Sequence, residues 1–230
     1  MSDKHVHEVE EKDTLVKAEN FLKQYQKQIL MVLGALVVII GGWYAYQNFV
    51  VLPKEQEAEE AIWKSESYFR QDSLKLALNG DKTNKGFLSI INNYGSTKAG
   101  NLAKYYAGCC YLRTGDFNSA VKYLSDFSTD AKPVQMMAYG ALGDAYGELN
   151  KNDEAVDSYK KAGAAFADDK NTSSEYLFRA ALKLEIAGKN SDALALYKQI
   201  KNDFPQTQRG FEAAKYINRL EVVPNDLSVK

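Results

Sequence analysis

The sequence predicts an all-α protein: a single N-terminal transmembrane helix followed by an α-solenoid, a curved array of helical hairpins. Three observations predict it. A 26-residue run near the N-terminus carries no formal charge, three later segments superpose on one another, and short polar turns (TGD, NKND, GKNSD) divide each of those segments in two.

The uncharged run is QILMVLGALVVIIGGWYAYQNFVVLP, Gln28 to Pro53. It exceeds the roughly 20 helical residues that cross a hydrocarbon core. An acidic stretch precedes it, where a cleavable signal would carry a short basic leader, so the run is expected to remain as an anchor. Trp43, Tyr44 and Tyr46 form an interfacial aromatic belt, with Gln47 and Asn48 as the first polar groups beyond it. Lys17, Lys23 and Lys27 before the span outweigh Lys54 and Lys64 after it, which places the N-terminus in the cytoplasm. Gly34, Gly41 and Ala45 recur at i, i+7 and i+11, a face on which another membrane helix can approach closely.

Five parts follow from this reading: a cytoplasmic arm (1–27), the span (28–52), a juxtamembrane helix with a degenerate first repeat (53–100), three repeats with a closing helix (101–220), and a frayed tail (221–230). In the arm, Leu15, Ala18, Phe21, Leu22, Tyr25 and Ile29 share one helical face. That face suits a membrane interface or a partner, and a plain extension of the span is the alternative.

The net charge of −1 leaves no basic footprint for nucleic acid. Cys109 and Cys110 are the only cysteines, and as neighbours they define no disulfide framework; small core filler is the expected role.

The three segments are KYYAGCCYLRTGDFNSAVKYLSDF, YGALGDAYGELNKNDEAVDSYKKA and LFRAALKLEIAGKNSDALALYKQI. Each has a small residue (Gly108, Gly143, Ala181) followed three later by a bulky one (Tyr111, Tyr146, Leu184). Nine further on stands an alanine (Ala120, Ala155, Ala193), and four later Leu124, Tyr159 or Tyr197. Small residues let the two helices of a hairpin approach, and the bulky ones fill the space between them. The pattern resembles the tetratricopeptide repeat, L-G-x2-Y … A-x3-F … P. Its terminal proline is met by Pro133, one place late, and by Pro205, whereas the second repeat has Ala167 there.

A fainter unit precedes these. FLSIINNYGSTKAGNLAKYY aligns with YKQIKNDFPQTQRGFEAAKYI at a shift of 110, with Ile90/Ile200, Thr97/Thr207, Gly100/Gly210, Ala103/Ala213 and Tyr106/Tyr216 identical. Phe87–Tyr94 therefore reads as the second helix of a degenerate repeat and Gln208–Leu220 as a closing helix. The opening helix, from Lys54 to Leu78, carries Ile62, Phe69 and Leu76 at seven-residue intervals. Its stripe of Ala58, Ala61, Ile62, Trp63 and Phe69 is expected to pack on the array.

Catalytic constellations are missing. The sequence has no phosphate-binding glycine loop, no G-x-S-x-G and no H-E-x-x-H, and no histidine follows His7. His5 and His7 lack clustered metal ligands, and Asp144 with Glu148 reads as a solvated helix face. Neither an enzyme nor a cofactor is expected.

Function is instead expected in the groove. The tetratricopeptide resemblance places positions two, five, nine and twelve of each unit on the concave surface. These are Leu102, Tyr105, Cys109 and Leu112; Met137, Gly140, Asp144 and Gly147; and Glu175, Phe178, Leu182 and Glu185. Such a groove suits apolar or basic segments and lacks the cationic clamp that seizes a terminal carboxylate; burial of some of these side chains against a neighbouring helix is the alternative.

The whole layout is similar to the YfgM family of ancillary SecYEG translocon subunits. The resemblance implies a bacterial inner-membrane protein with a periplasmic array. It would join SecYEG and a PpiD-like membrane-anchored chaperone and assist unfolded, emerging envelope proteins. A scaffold for envelope biogenesis or cell division, holding one folded partner, is the alternative.

Overall fold

The computed structural model describes the backbone of residues 2–221 and the side chains of Asn20 and residues 23–221. The side chains of His5, His7, Leu15, Ala18, Phe21 and Leu22, and the tail from residue 222 on, lie outside the described residues. What is described is all-helical, and the isolated Gly80–Lys85 bridge is its only β pairing. The chain divides into two compact units after Pro53.

The first unit holds α1 (Ser2–Tyr46) and a π-helical stretch, Gln47–Val51. One helix here is long and apolar enough to cross a membrane, and none of its apolar window is buried. The π stretch has a local cause. Pro53 has no N–H, and in a regular α-helix its ring would collide with the carbonyl four residues back. The wider turn begins just before it, with the Leu52 N–H bonding the Gln47 carbonyl.

The second unit begins in α2 (Leu52–Arg70). It continues through α3 (Leu74–Asn79), α4 (Phe87–Tyr94), α5 (Lys98–Thr114), α6 (Phe117–Ser125), α7 (Lys132–Glu148), α8 (Asn152–Ala165), α9 (Lys170–Ile186), α10 (Asn190–Asp203) and α11 (Gln208–Glu221). Four hairpin turns share one geometry. Asp72, Gly115, Asn150 and Gly188 adopt φ of 58°, 83°, 57° and 73°. The following N–H then reaches the carbonyl five residues back: Ser73 to Tyr68, Asp116 to Tyr111, Lys151 to Tyr146 and Lys189 to Leu184, at 2.9–3.0 Å. This is the αL C-cap that satisfies the last carbonyls of a helix.

Tyr111, Tyr146 and Leu184 are the bulky repeat residues, so Tyr68 is a fourth member of the series. The match extends: Ser65 takes the small position and Ala77 the alanine position. Ser65, Ala77, Ala120, Ala155, Ala181 and Ala193 are all fully buried. The α2 helix is therefore the first helix of a full repeat, whose second helix is split into α3 and α4. Between Ala77 and Phe87 the chain holds six residues more than between Ala193 and Tyr197, which accounts for the interruption.

The expected uninterrupted helix from Lys54 to Leu78 is thus corrected: it stops at Arg70 and turns at Asp72. Of the expected stripe, Ala58, Ala61, Ile62 and Phe69 pack on the array, whereas Trp63 stays 64% exposed.

The inserted loop is ordered by its own polar groups. Asp81 Oδ1 accepts the Thr83 and Asn84 N–H groups at 2.7 Å, the Tyr68 hydroxyl donates to Oδ2, and the Ser65 hydroxyl donates to the Lys85 carbonyl at 2.7 Å. These bonds hold the Asp81 carboxyl well below the usual carboxylate range, the Tyr68 bond contributing most.

The 110-residue correspondence is also structural. Thr97 and Thr207 each donate to the carbonyl of the preceding aromatic residue, Tyr94 or Phe204, and each accepts the N–H of Gly100 or Gly210. A Cβ on Gly100 would lie 1.8 Å from the Tyr94 carbonyl oxygen, and one on Gly210 1.9 Å from that of Phe204. Only glycine permits this approach. Pro133 plays a different part from that expected: it lies in the first turn of α7, where a missing N–H leaves no helical bond unmade.

Candidate protein-binding face

In each hairpin the small residue does what its size allows. A Cβ on Gly108 would lie 2.5 Å from Leu124, and one on Gly143 2.6 Å from Tyr159, so the first helix rests directly on the second. This close packing fixes which side chains of α5, α7, α9 and α11 remain available on the other side.

Most of the expected groove residues are half-buried. Leu102 packs against the core of the first repeats. Tyr105 lies against the rings of Tyr106 and Phe127, with centroids 5.4 and 5.5 Å away. Cys109 and Leu112 pack beside the cluster of Ala120, Leu124, Leu142 and Ala145, and Leu182 packs beside the C-terminal core. Burial pushes the Cys109 thiol up to about 11, and burial followed by its neighbour Cys109 pushes Cys110 up to about 12. Met137, 43% exposed, is the most open apolar member.

Phe178 is a correction. It is 1% exposed and belongs to the core. The α11 helix closes over it: the Tyr216 ring meets it edge-on at 4.9 Å, Tyr197 at 5.4 Å, and the Arg209 guanidinium covers its face at 4.5 Å. The two glycines at groove positions in α7 are covered as well. A Cβ on Gly140 would strike the Tyr176 ring at 2.2–2.3 Å, and one on Gly147 would meet the Lys183 side chain at 3.0 Å.

In place of an open apolar groove, α7, α9 and α11 carry a ladder of alternating charge. Asp144 of α7 accepts from the Tyr159 hydroxyl at 2.6 Å and pairs with Arg179 of α9 at 3.1 Å. Arg179 also holds Glu175 Oε1 at 2.9 Å, and Arg209 of α11 holds Oε2 of the same carboxylate at 2.6 Å. Arg209 then pairs with Glu212 at 2.5 Å. A second rung joins Glu185 of α9 to Arg219 of α11 and to the Tyr197 hydroxyl. At Glu175 desolvation favours the neutral acid, but the bonds from Arg209 and Arg179 outweigh it and hold the carboxyl below its ordinary value.

Sequence reasoning placed Asp144, Glu175 and Glu185 on this face but missed Tyr176, Arg179, Lys183 and Arg209. The signal was present as an i, i+3, i+7 row on α9, one helical face. An open cleft of ≈ 560 Å³ borders the ladder, lined by Leu112, Arg113, Phe117, Asp144, Tyr159 and Lys183 among others. A second, of ≈ 420 Å³, lies between α2 and the inserted loop and includes Glu57, Glu60, Lys64 and Lys85 in its lining. Among the described residues no group of three His, Cys, Asp or Glu is placed to hold a metal ion.

Two family models match this chain, both described as the tetratricopeptide repeat, over residues 102–130 and 138–162. The array is tetratricopeptide-like. The matches fall on α5–α6 and α7–α8, two successive hairpins of the array. No curated protein matches the sequence. Repeats of this type indicate a protein–protein interaction module.

Proposed function

We propose that this protein is a membrane-anchored, non-enzymatic protein-binding module that serves as an accessory subunit of the Sec translocon. In this reading the arm is cytoplasmic, the span lies in a bacterial inner membrane, and the array is periplasmic. SecYEG and a PpiD-like membrane-anchored chaperone are its partners, and unfolded envelope proteins are assisted as they emerge. The observation that carries the reading is the joining, in one chain, of a tetratricopeptide-like array to a helix whose apolar window is left unburied among the described residues. The layout similar to the YfgM family supports the translocon assignment. On the span, Gly34 and Gly41 have open space where a Cβ would stand, which suits packing against a partner's membrane helix.

A second reading, a scaffold holding one folded partner, draws support from the closed inner face. Phe178 is core, Tyr176 lies over Gly140, and the charge ladder occupies the surface where an adaptable apolar groove would serve varied clients. Affinity purification from solubilised membranes, read by mass spectrometry, separates the two. Recovery of translocon subunits with many envelope proteins supports the translocon reading. Recovery of one stoichiometric folded partner without translocon subunits supports the scaffold and overturns the first reading.

A further inference from the structure

We infer that the ladder from Asp144 to Glu212 is a coupling device that makes the hold on α11 depend on a charge in α7. In a solenoid each repeat ordinarily touches only its neighbours, so a perturbation is expected to stay local. Here two arginines share acceptors in series. Arg179 divides its guanidinium between Asp144 and Glu175, with its Nη1 on the former and its Nε on the latter. Glu175 divides its two oxygens between Arg179 and Arg209. Arg209 is the residue of α11 that also covers Phe178 and holds Glu212.

Removing the charge at Asp144 leaves Arg179 with Glu175 as its one remaining carboxylate. The freed guanidinium then competes for the acceptor that Arg209 uses, and its positive charge faces Arg209 with one negative neighbour fewer. Both effects weaken the attachment of α11. The ladder side chains are 29–41% exposed, so water screens each pair but does not erase it.

The test is hydrogen exchange read by mass spectrometry on the full chain in detergent micelles, with Asp144→Asn as the perturbation. Tyr159→Phe is the control, because it removes the other bond to Asp144 and leaves the charge in place. Asp144→Asn is expected to speed exchange of α11 amides by about two- to fivefold, a factor typical of partly exposed ion pairs. Amides of α4 and α5 should not change, and Tyr159→Phe should leave α11 unchanged. Faster exchange confined to α7, α8 and α9 overturns the coupling. Equal acceleration in every helix of the array also overturns it, since that is global destabilisation. A double cycle combining Asp144→Asn with Glu212→Gln gives a second reading: the two carboxylates sit at opposite ends of the ladder, so strictly additive effects on α11 refute a shared device.

Discussion

Phe178→Ala tests whether the inner face of α9 is core or groove. The side chain is 1% exposed and is enclosed by Tyr197, Tyr216 and the Arg209 guanidinium. Truncating a buried phenylalanine to alanine costs about 3–5 kcal/mol through lost transfer energy and the cavity left behind. Here the ring is also the surface on which α11 closes, so collapse of the site would require movement of that helix. For a unit of this size each kcal/mol lowers the melting temperature by about 2–4 °C, which gives a drop of about 6 to 20 °C. Circular dichroism at 222 nm on the full chain in detergent reads it, with Met137→Ala as the exposed comparison, expected to shift melting by less than about 2 °C. A Phe178→Ala protein that melts within 2 °C of the parent would place the ring on an open surface and refute the packing argument.

Other consequences follow from particular contacts. Gly100→Ala should destabilise the array by about 2–4 kcal/mol, because its Cβ meets the Tyr94 carbonyl oxygen at 1.8 Å and displaces the Thr97 cap, whereas Gly34→Ala, with open space around it, should leave thermal melting of the array unchanged. Lowering pH should destabilise the array: the carboxyls of Asp116 and Asp169, which cap helices, and of Glu175, held by two arginines, have folded-state values below their ordinary ones. Their contribution is complete above the ordinary carboxylate range and is lost as pH falls through it toward the folded values, so a melting temperature that does not fall from pH 6 to pH 3 would contradict these assignments. Cys109 and Cys110, raised by burial, should resist N-ethylmaleimide at pH 7.5 in the folded chain and react rapidly in denaturant; equal rates would show that the thiols are open.

The hairpins were legible wherever the repeat kept its strongest letters. Gly108, Gly143 and Ala181, with the alanines that follow, announce themselves because close helix contact tolerates few side chains. The first repeat was harder to see for two physical reasons. Serine at position 65 replaces glycine or alanine, its hydroxyl satisfied by the Lys85 carbonyl, and the inserted loop breaks the second helix, so the alanine of α3 and the aromatic of α4 fall out of step. Of the stripe read on the opening helix, Ala58, Ala61, Ile62 and Phe69 pack as expected, and only Trp63 is left exposed.

The groove was only partly legible. Position numbering identifies which residues of a helix point inward, but not how the next helix covers them. At Phe178 the cover is α11, and at Gly140 it is Tyr176 of α9; both arise from partners two helices further along the chain. The charge ladder depends on pairings 34 and 35 residues apart, which no local period reveals.

Recruitment of protein partners to the membrane is proposed to depend on the array and not on the span alone. This dependence is tested most directly by quantitative mass spectrometry of proteins that co-purify with three membrane-inserted forms: the full chain, the full chain with Phe178→Ala, and residues 1–53 alone. Extramembrane partners present with the full chain should fall at least about tenfold with residues 1–53 and fall substantially with Phe178→Ala at a temperature where that array is unfolded, while any partner held by the membrane helix should persist in all three. Equal recovery of every partner by residues 1–53 would contradict it.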